Sequence, residues 1–173
     1  AGYQLPAGTL NELTSVTDDT SHAHNYIELF DNHHSFPLLS QADRQLLMMF
    51  ILVSRPATSL NRLSRYFSVS KTTIIKDLAH LQSQWPSGVK VVNGKNGKSL
   101  VGDEPAQRRL VFTNFKRIME LCANVADFTP NDHYVTQLHL LEKITGNSFT
   151  EDSINLLANF IKWIVERLHR RPD

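Results

Sequence analysis

The chain has 173 residues, 41% of them hydrophobic, and a formal net charge of +1, enough apolar content for two small domains with a modest core each. A single cysteine, Cys122, excludes an internal disulfide and any multi-cysteine metal site. The longest apolar run, Leu46 to Val53, has eight residues against the roughly 20 that span a bilayer, and no secretory leader pattern is visible, so a cytoplasmic location without a membrane partner is expected.

The near-neutral balance hides an uneven distribution. Between Arg55 and Lys98 there are eight basic residues (Arg55, Arg62, Arg65, Lys71, Lys76, Lys90, Lys95 and Lys98) against one acid, Asp77, which leaves a net −6 on the rest of the chain. A basic module in an acidic chain is an electrostatic footprint of DNA binding. A solvated basic face gives the same count.

Residues 1–8 hold a glycine, Gly2, an extended Tyr3-Gln4-Leu5 and a Pro6-Ala7-Gly8 stop, the outline of a closing β-strand. Gly97-Lys-Ser-Leu-Val-Gly102 repeats it, so residues 1–8 are expected to end an earlier winged module. Residues 9–38 read as a polar linker in which Tyr26, Ile27, Leu29 and Phe30 suggest one short helix. His22, His24, His33 and His34 lack a carboxylate or thiol at ligand spacing. They read as linker and helix-end residues, and no metal or other cofactor is expected.

Ser40-Gln-Ala-Asp43 has the outline of a capping box. The helix it opens should reach about Ser54 and stop before Pro56; its Leu46 to Val53 run, apolar all round, predicts burial on more than one side. Thr58 or Ser59 caps a second helix, about Leu60 to Tyr66, with Leu60 and Leu63 inward. Phe67-Ser-Val69 makes the turn, with Val69 as an apolar plug. Ser70 caps a third helix whose stripe is Ile74, Leu78, Leu81 and Trp85; Thr72, Thr73, Lys76, Ala79, His80 and Ser83 face the other way. Pro86-Ser-Gly88 ends it, and two short strands, Val89 to Val92 and Lys98 to Val101, flank Asn93-Gly-Lys-Asn-Gly97, whose Asn-Gly pairs suit a hairpin turn with positive φ.

Residues 39–102 therefore read as a winged helix-turn-helix, three helices plus a β-hairpin wing, in a mainly α chain. A helix fits the major groove and presents its N-terminal residues to base edges, while its dipole and free amides favour phosphate. Ser70, Lys71, Thr72, Thr73 and Lys76 are the candidate reading residues. Arg62 and Arg65 would straddle the DNA backbone, and Lys95, Asn96 and Lys98 at the hairpin tip would reach the minor groove or the backbone. A generic helical hairpin and a purely structural β-hairpin are the competing readings.

From residue 103 to 173 only helices are predicted, forming a partial bundle. Asp103-Glu-Pro105 is a strong start, followed by Val111, Phe115, Ile118 and Cys122 on one stripe, where the thiol reads as buried and inert. Pro130-Asn131 opens the next helix, with Tyr134, Leu138 and Leu141 inward and Gly146 as its stop. The last runs from about Thr150 to His169 with two stripes: Ile154, Leu157, Ile161, Ile164 and Leu168, and beside it Leu156, Phe160 and Trp163. Two stripes predict a central position in a larger bundle or a second subunit alongside.

Leu60-x-x-Leu63-Ser64, Val69-Ser-Lys-Thr-Thr-Ile74-x-x-Asp77-Leu78-x-x-Leu81 and Gly97-Lys-Ser-Leu-Val-Gly-Asp-Glu104 with Arg108 or Arg109 resemble the winged helix and exit segment of bacterial transcription regulators with phosphotransferase-system regulation domains, the mannitol-activator group. The resemblance covers Ser40 to Arg109 best. It implies a second winged module followed by an incomplete first regulation domain, a homodimer, and control of a sugar operon through histidine phosphorylation by phosphocarrier proteins. Leu157 to Leu168 resembles the segment of that domain ending in Glu-Arg, but Phe160 stands where relatives carry the phosphorylatable histidine. His133, His139 and His169 lie off that position, and no phosphosite is assigned.

The leading reading is thus a DNA-binding regulator of a sugar-uptake operon. Its alternative is a winged module that serves as a dimerisation and relay scaffold without touching DNA. An RNA-binding antiterminator, as in relatives with a small β-rich domain, fits less well because the helix-turn-helix occupies that place. No glycine-rich phosphate loop, nucleophile elbow or paired-carboxylate site suggests an enzyme.

Overall fold

The computed structural model describes residues 30, 36, 38–123 and 128–169. The strand expected at 1–8, the linker histidines and Tyr26, Ile27 and Leu29 of the expected linker helix lie outside them, while Phe30 of that helix is described and helical. The described residues are mainly helical, with six helices and one two-stranded antiparallel sheet. None of these helices is long and apolar enough to cross a membrane.

Helix α1 (Gln41–Ser54) begins as its capping box predicts: Ser40 Oγ accepts from the Asp43 amide at 3.1 Å and donates to Asp43 Oδ2 at 2.9 Å. Leu47 to Ser54 is buried throughout, because α1 is packed against several neighbouring elements rather than one. Phe30 and Phe36 reach the same core: the Phe30 ring lies 5.4 Å from Phe36, 6.0 Å from Phe50 and 6.0 Å from Tyr66, and the Phe36 amide donates to Tyr66 O at 2.8 Å.

Helix α2 (Leu60–Phe67) is capped by Ser59, whose Oγ accepts from the Arg62 amide at 3.2 Å. It ends on Ser68 in the left-handed region at φ 52°, and the Val69 amide returns to Ser64 O at 3.2 Å while Ser64 Oγ donates to Val69 O at 2.6 Å. Val69 packs partly into the core, as its role of plug requires. Helix α3 (Lys71–Gln84) follows after Ser70 and buries Ile74, Leu78 and Leu81.

Strands β1 (Val89–Gly94) and β2 (Gly97–Gly102) pair with Gly94 opposite Gly97, so the tip is only Lys95 and Asn96. The expected positive φ falls on Gly97, at 122°, the glycine of the Asn96-Gly97 pair. There Thr58 exchanges two backbone hydrogen bonds with Lys98, at 2.8 and 2.9 Å, and residue 58 becomes the stub of a third strand. A Cβ on Gly97 would lie 2.6 Å from Thr58 O, so this close approach requires glycine.

Helix α4 (Glu104–Cys122) starts at Asp103, whose Oδ2 accepts from the Ala106 amide at 2.9 Å, and it buries Val111, Phe115, Ile118 and Cys122 completely. Burial pushes the Cys122 thiol up to about 12. Helix α5 (Asp132–Thr145) is capped by Asn131 and ends on Gly146 at φ 70°. Helix α6 (Glu151–His169) follows it.

The main core runs without interruption from α1 to α3 into α4 and Trp163 of α6; Leu138, Ile154 and Ala158 form a second cluster between α5 and α6. The two stripes of α6 are thereby divided between two partners within the chain. Leu156, Phe160, Trp163 and Ile164 pack on the main core, and Leu157 and Ile161 on the second. Leu168, on the first stripe, is left 55% exposed. Leu141, expected inward, is 43% exposed, because α5 meets α6 along Tyr134, Val135 and Leu138 instead.

Polar groups complete the seat of α6. Arg167, almost fully buried, donates from Nε to Val53 O at 2.7 Å and from Nη2 to Glu104 Oε2 at 2.9 Å and Gln107 Oε1 at 2.8 Å; its Nη1 pairs with Glu104 Oε1. Trp163 Nε1 donates to Ser54 Oγ at 2.8 Å.

Candidate nucleic-acid interface

The orientation of α3 is set by its one acid. Asp77 is buried and accepts from Arg44 Nε at 2.7 Å, Gln45 Nε2 at 2.9 Å and Gln41 Nε2 at 3.2 Å, all on α1. Burial by itself would raise this carboxyl, but hydrogen bonds from Arg44, Gln45 and Gln41 and the charge of Arg44 outweigh it and hold the group below its ordinary value. The negative charge that the sequence places in the middle of the basic stretch is therefore withdrawn from the surface and neutralised.

What remains outside is basic and small. Lys71, Thr72, Ile75, Lys76, Ala79 and His80 are exposed along α3. Lys71, Thr72, Ile75, Lys76 and Ala79 recur at helical spacing and share one flank. Thr73 is half-buried and less available than expected, since its hydroxyl lies 2.9 Å from Ser70 Oγ while its amide donates to that oxygen at 3.1 Å. Ser70 and Thr73 thus act first as the helix cap. Ile75, 51% exposed, was missed by the sequence reading; its place four residues after Lys71 was the available signal.

Arg65 is exposed and Arg62 half-buried on α2. At the hairpin Lys95 and Asn96 are exposed at the tip, whereas Lys98 is half-buried at the foot of β2, its Nζ bonded to Asn93 Oδ1. The fold therefore separates the three hairpin candidates: Lys95 and Asn96 stand apart, and Lys98 joins Lys71. Between the start of α2, the start of α3 and the hairpin lies an open cleft of about 370 Å³, with Ser59, Asn61, Lys71, Asn93 and Lys98 among its lining and no carboxylate.

In the helical segment, Phe160 packs edge-on against Phe112 and Phe115, with ring centroids 4.9 and 5.2 Å apart, and lies 5.4 Å from Trp163. His133 stacks edge-on to Tyr134, His139 Nδ1 lies 2.7 Å from Glu142 Oε2, and His169 is exposed at the last turn of α6. Among the described residues no three His, Cys, Asp or Glu side chains are grouped to hold a metal ion. Comparison with protein-family models, curated proteins and solved structures found no match to this chain.

Proposed function

We propose that the chain is a DNA-binding transcription regulator in which residues 39–102 form a winged helix-turn-helix with α3 as the reading helix. The observation that carries this is the division of α3: its one carboxylate is turned into α1, and Lys71, Thr72, Ile75, Lys76 and Ala79 are left as a basic, low-relief face. Such a face can donate to phosphate or guanine, hydrogen-bond a base through Thr72 and meet a thymine methyl with Ile75. The order helix, Thr58 stub, two helices and hairpin supports the winged form, with Thr58 tying the hairpin to the start of α2.

Selection of binding sites from a random duplex pool, followed by titration over a range of salt, tests the proposal. Lys71→Ala and Lys76→Ala should each weaken binding and lower the salt slope by about one; wild-type binding by both variants overturns it. Control of a sugar-uptake operon through the phosphotransferase system, and action as a homodimer, follow from the resemblance alone. Phe160, packed among aromatic rings, cannot accept a phosphoryl group, so such a signal would act through a histidine at another position.

In the alternative reading, residues 39–102 serve as a dimerisation and relay scaffold without DNA contact; Leu140, Leu141 and Ile144 expose an apolar stripe on α5, outside that module, available to a second copy. A dimer in light scattering together with no affinity for any duplex would establish it instead.

A further inference from the structure

The cleft between α2, α3 and the hairpin has a chemistry of its own. Lys71 and Lys98, on separate elements, line it together with Asn61 and Asn93, and the Lys98 ammonium is hydrogen-bonded to the Asn93 carboxamide oxygen. Lys71 has no ion-pair partner among the described residues. The opening turn of α2 adds the amides of Leu60 and Asn61, which precede the first intrahelical bond, and α2 carries no acid there, whereas α1, α4, α5 and α6 each do. Every charged group on the wall is a cation, and every polar side chain on it can donate a hydrogen bond.

We propose that this cleft holds a backbone phosphodiester of the bound duplex, a proposal that rests on the reading of α3 as a DNA-reading helix. The phosphate oxygens accept from Lys71, Lys98 and the Asn61 carboxamide. Because the cleft opens beside Lys71 at the start of α3, a phosphate held there fixes where along the groove α3 enters, and it joins the tip end of the hairpin, where Lys98 faces Asn93, to the same strand. Lys98 and Asn61 thus act in placement, whereas Lys76, outside the cleft, acts on the reading face. A free phosphate ion shares this chemistry, so the test separates the two sources.

The experiment is a fluorescence-anisotropy titration of the whole chain with a short random-sequence duplex at several salt concentrations, since non-specific binding already reports phosphate contacts. Asn61→Asp places a carboxylate in the cleft at a helix position where acids are favourable for folding; it should weaken binding about tenfold or more through like-charge repulsion. Lys98→Gln should lower the salt slope by about one. Wild-type affinity and slope in both variants, with Lys76→Ala still weakened, overturns the cleft site and leaves the reading of α3 standing. No duplex binding by the unaltered chain overturns both. In a parallel arm, amide resonances of Leu60 and Asn61 are followed by NMR: shifts on adding the duplex support the proposal, and shifts with inorganic phosphate but none with the duplex overturn it.

Discussion

Near its start α1 meets a buried anion, Asp77 of α3; at its other end it meets a buried cation, Arg167 of α6. Both placements agree with the helix dipole, positive where Gln41, Arg44 and Gln45 surround Asp77 and negative where the Val53 carbonyl receives Arg167. The two ends nevertheless differ in kind. The Asp77 end is satisfied entirely by side chains of α1, so it fixes the rotation of one helix against another. The Arg167 end draws in Glu104 and Gln107 as well, so it locks three helices at once. Burial of a charge is tolerated at each end because the hydrogen bonds are complete, and removing one partner therefore costs more than the pair contributes.

Breaking the Arg167 end should have the larger effect. Arg167→Met removes the Arg167 donor from Glu104, Gln107 and the Val53 carbonyl, and denaturant unfolding should show a loss of about 3 kcal/mol, the low end for a buried pair because Glu104 is partly exposed and keeps its pair with Arg108. At the other end, Asp77→Asn keeps the shape and removes the charge facing Arg44, with an expected loss of about 2 kcal/mol. This site also gives a pH signature. The folded-state value of Asp77 is lowered, so its contribution is present above the unfolded value of about 4 and is lost as pH falls through the folded value. Stability of the wild type should therefore drop more steeply in acid than that of Asp77→Asn, measured by urea midpoints; parallel curves would show that the Arg44 contact does not act as described.

Between the two ends lies the aromatic group around Phe160. Phe160→His places an imidazole among Phe112, Phe115 and Trp163. A loss of about 1–2 kcal/mol in thermal unfolding is expected, and a gain in stability would mean that the pocket is suited to histidine. The smallest change is Ser70→Ala, which deletes the acceptor for the Thr73 amide and should cost about 1 kcal/mol.

The same contrast separates what sequence reading can reach from what it cannot. Caps are local, so Ser40, Ser59, Ser70, Asp103, Asn131 and Gly146 all announce their helices within a turn of where they lie. The stripes Ile74–Leu78–Leu81 and Val111–Phe115–Ile118–Cys122 are equally plain, since apolar spacing alone defines them. The polar fastenings are invisible to that method. Asp77 finds partners 32 to 36 residues upstream, and Arg167 bonds groups 60 to 114 residues away; neither distance leaves a periodic trace. Counting apolar residues also misplaced the buried line of α6, which runs through Ile154, Ala158, Asn159, Trp163 and Arg167 and so includes two polar side chains. For the candidate interface, Lys71, Thr72 and Lys76 follow from helical spacing, but the pairing of Lys98 with the start of α2 depends on the Thr58 contact, which only the folded hairpin creates.

The buried thiol of Cys122 turns the chain into its own reporter. It is the one cysteine present, it lies fully inside the α1–α4 core, and burial pushes its pKa up to about 12. Since only the thiolate attacks alkylating agents, iodoacetamide will modify Cys122 at a rate set by how often that core opens. Mass spectrometry of the alkylated fraction over time then clocks native-state opening without any added label, and comparing it with and without a DNA duplex measures how far a ligand bound at one face quiets motion in the centre.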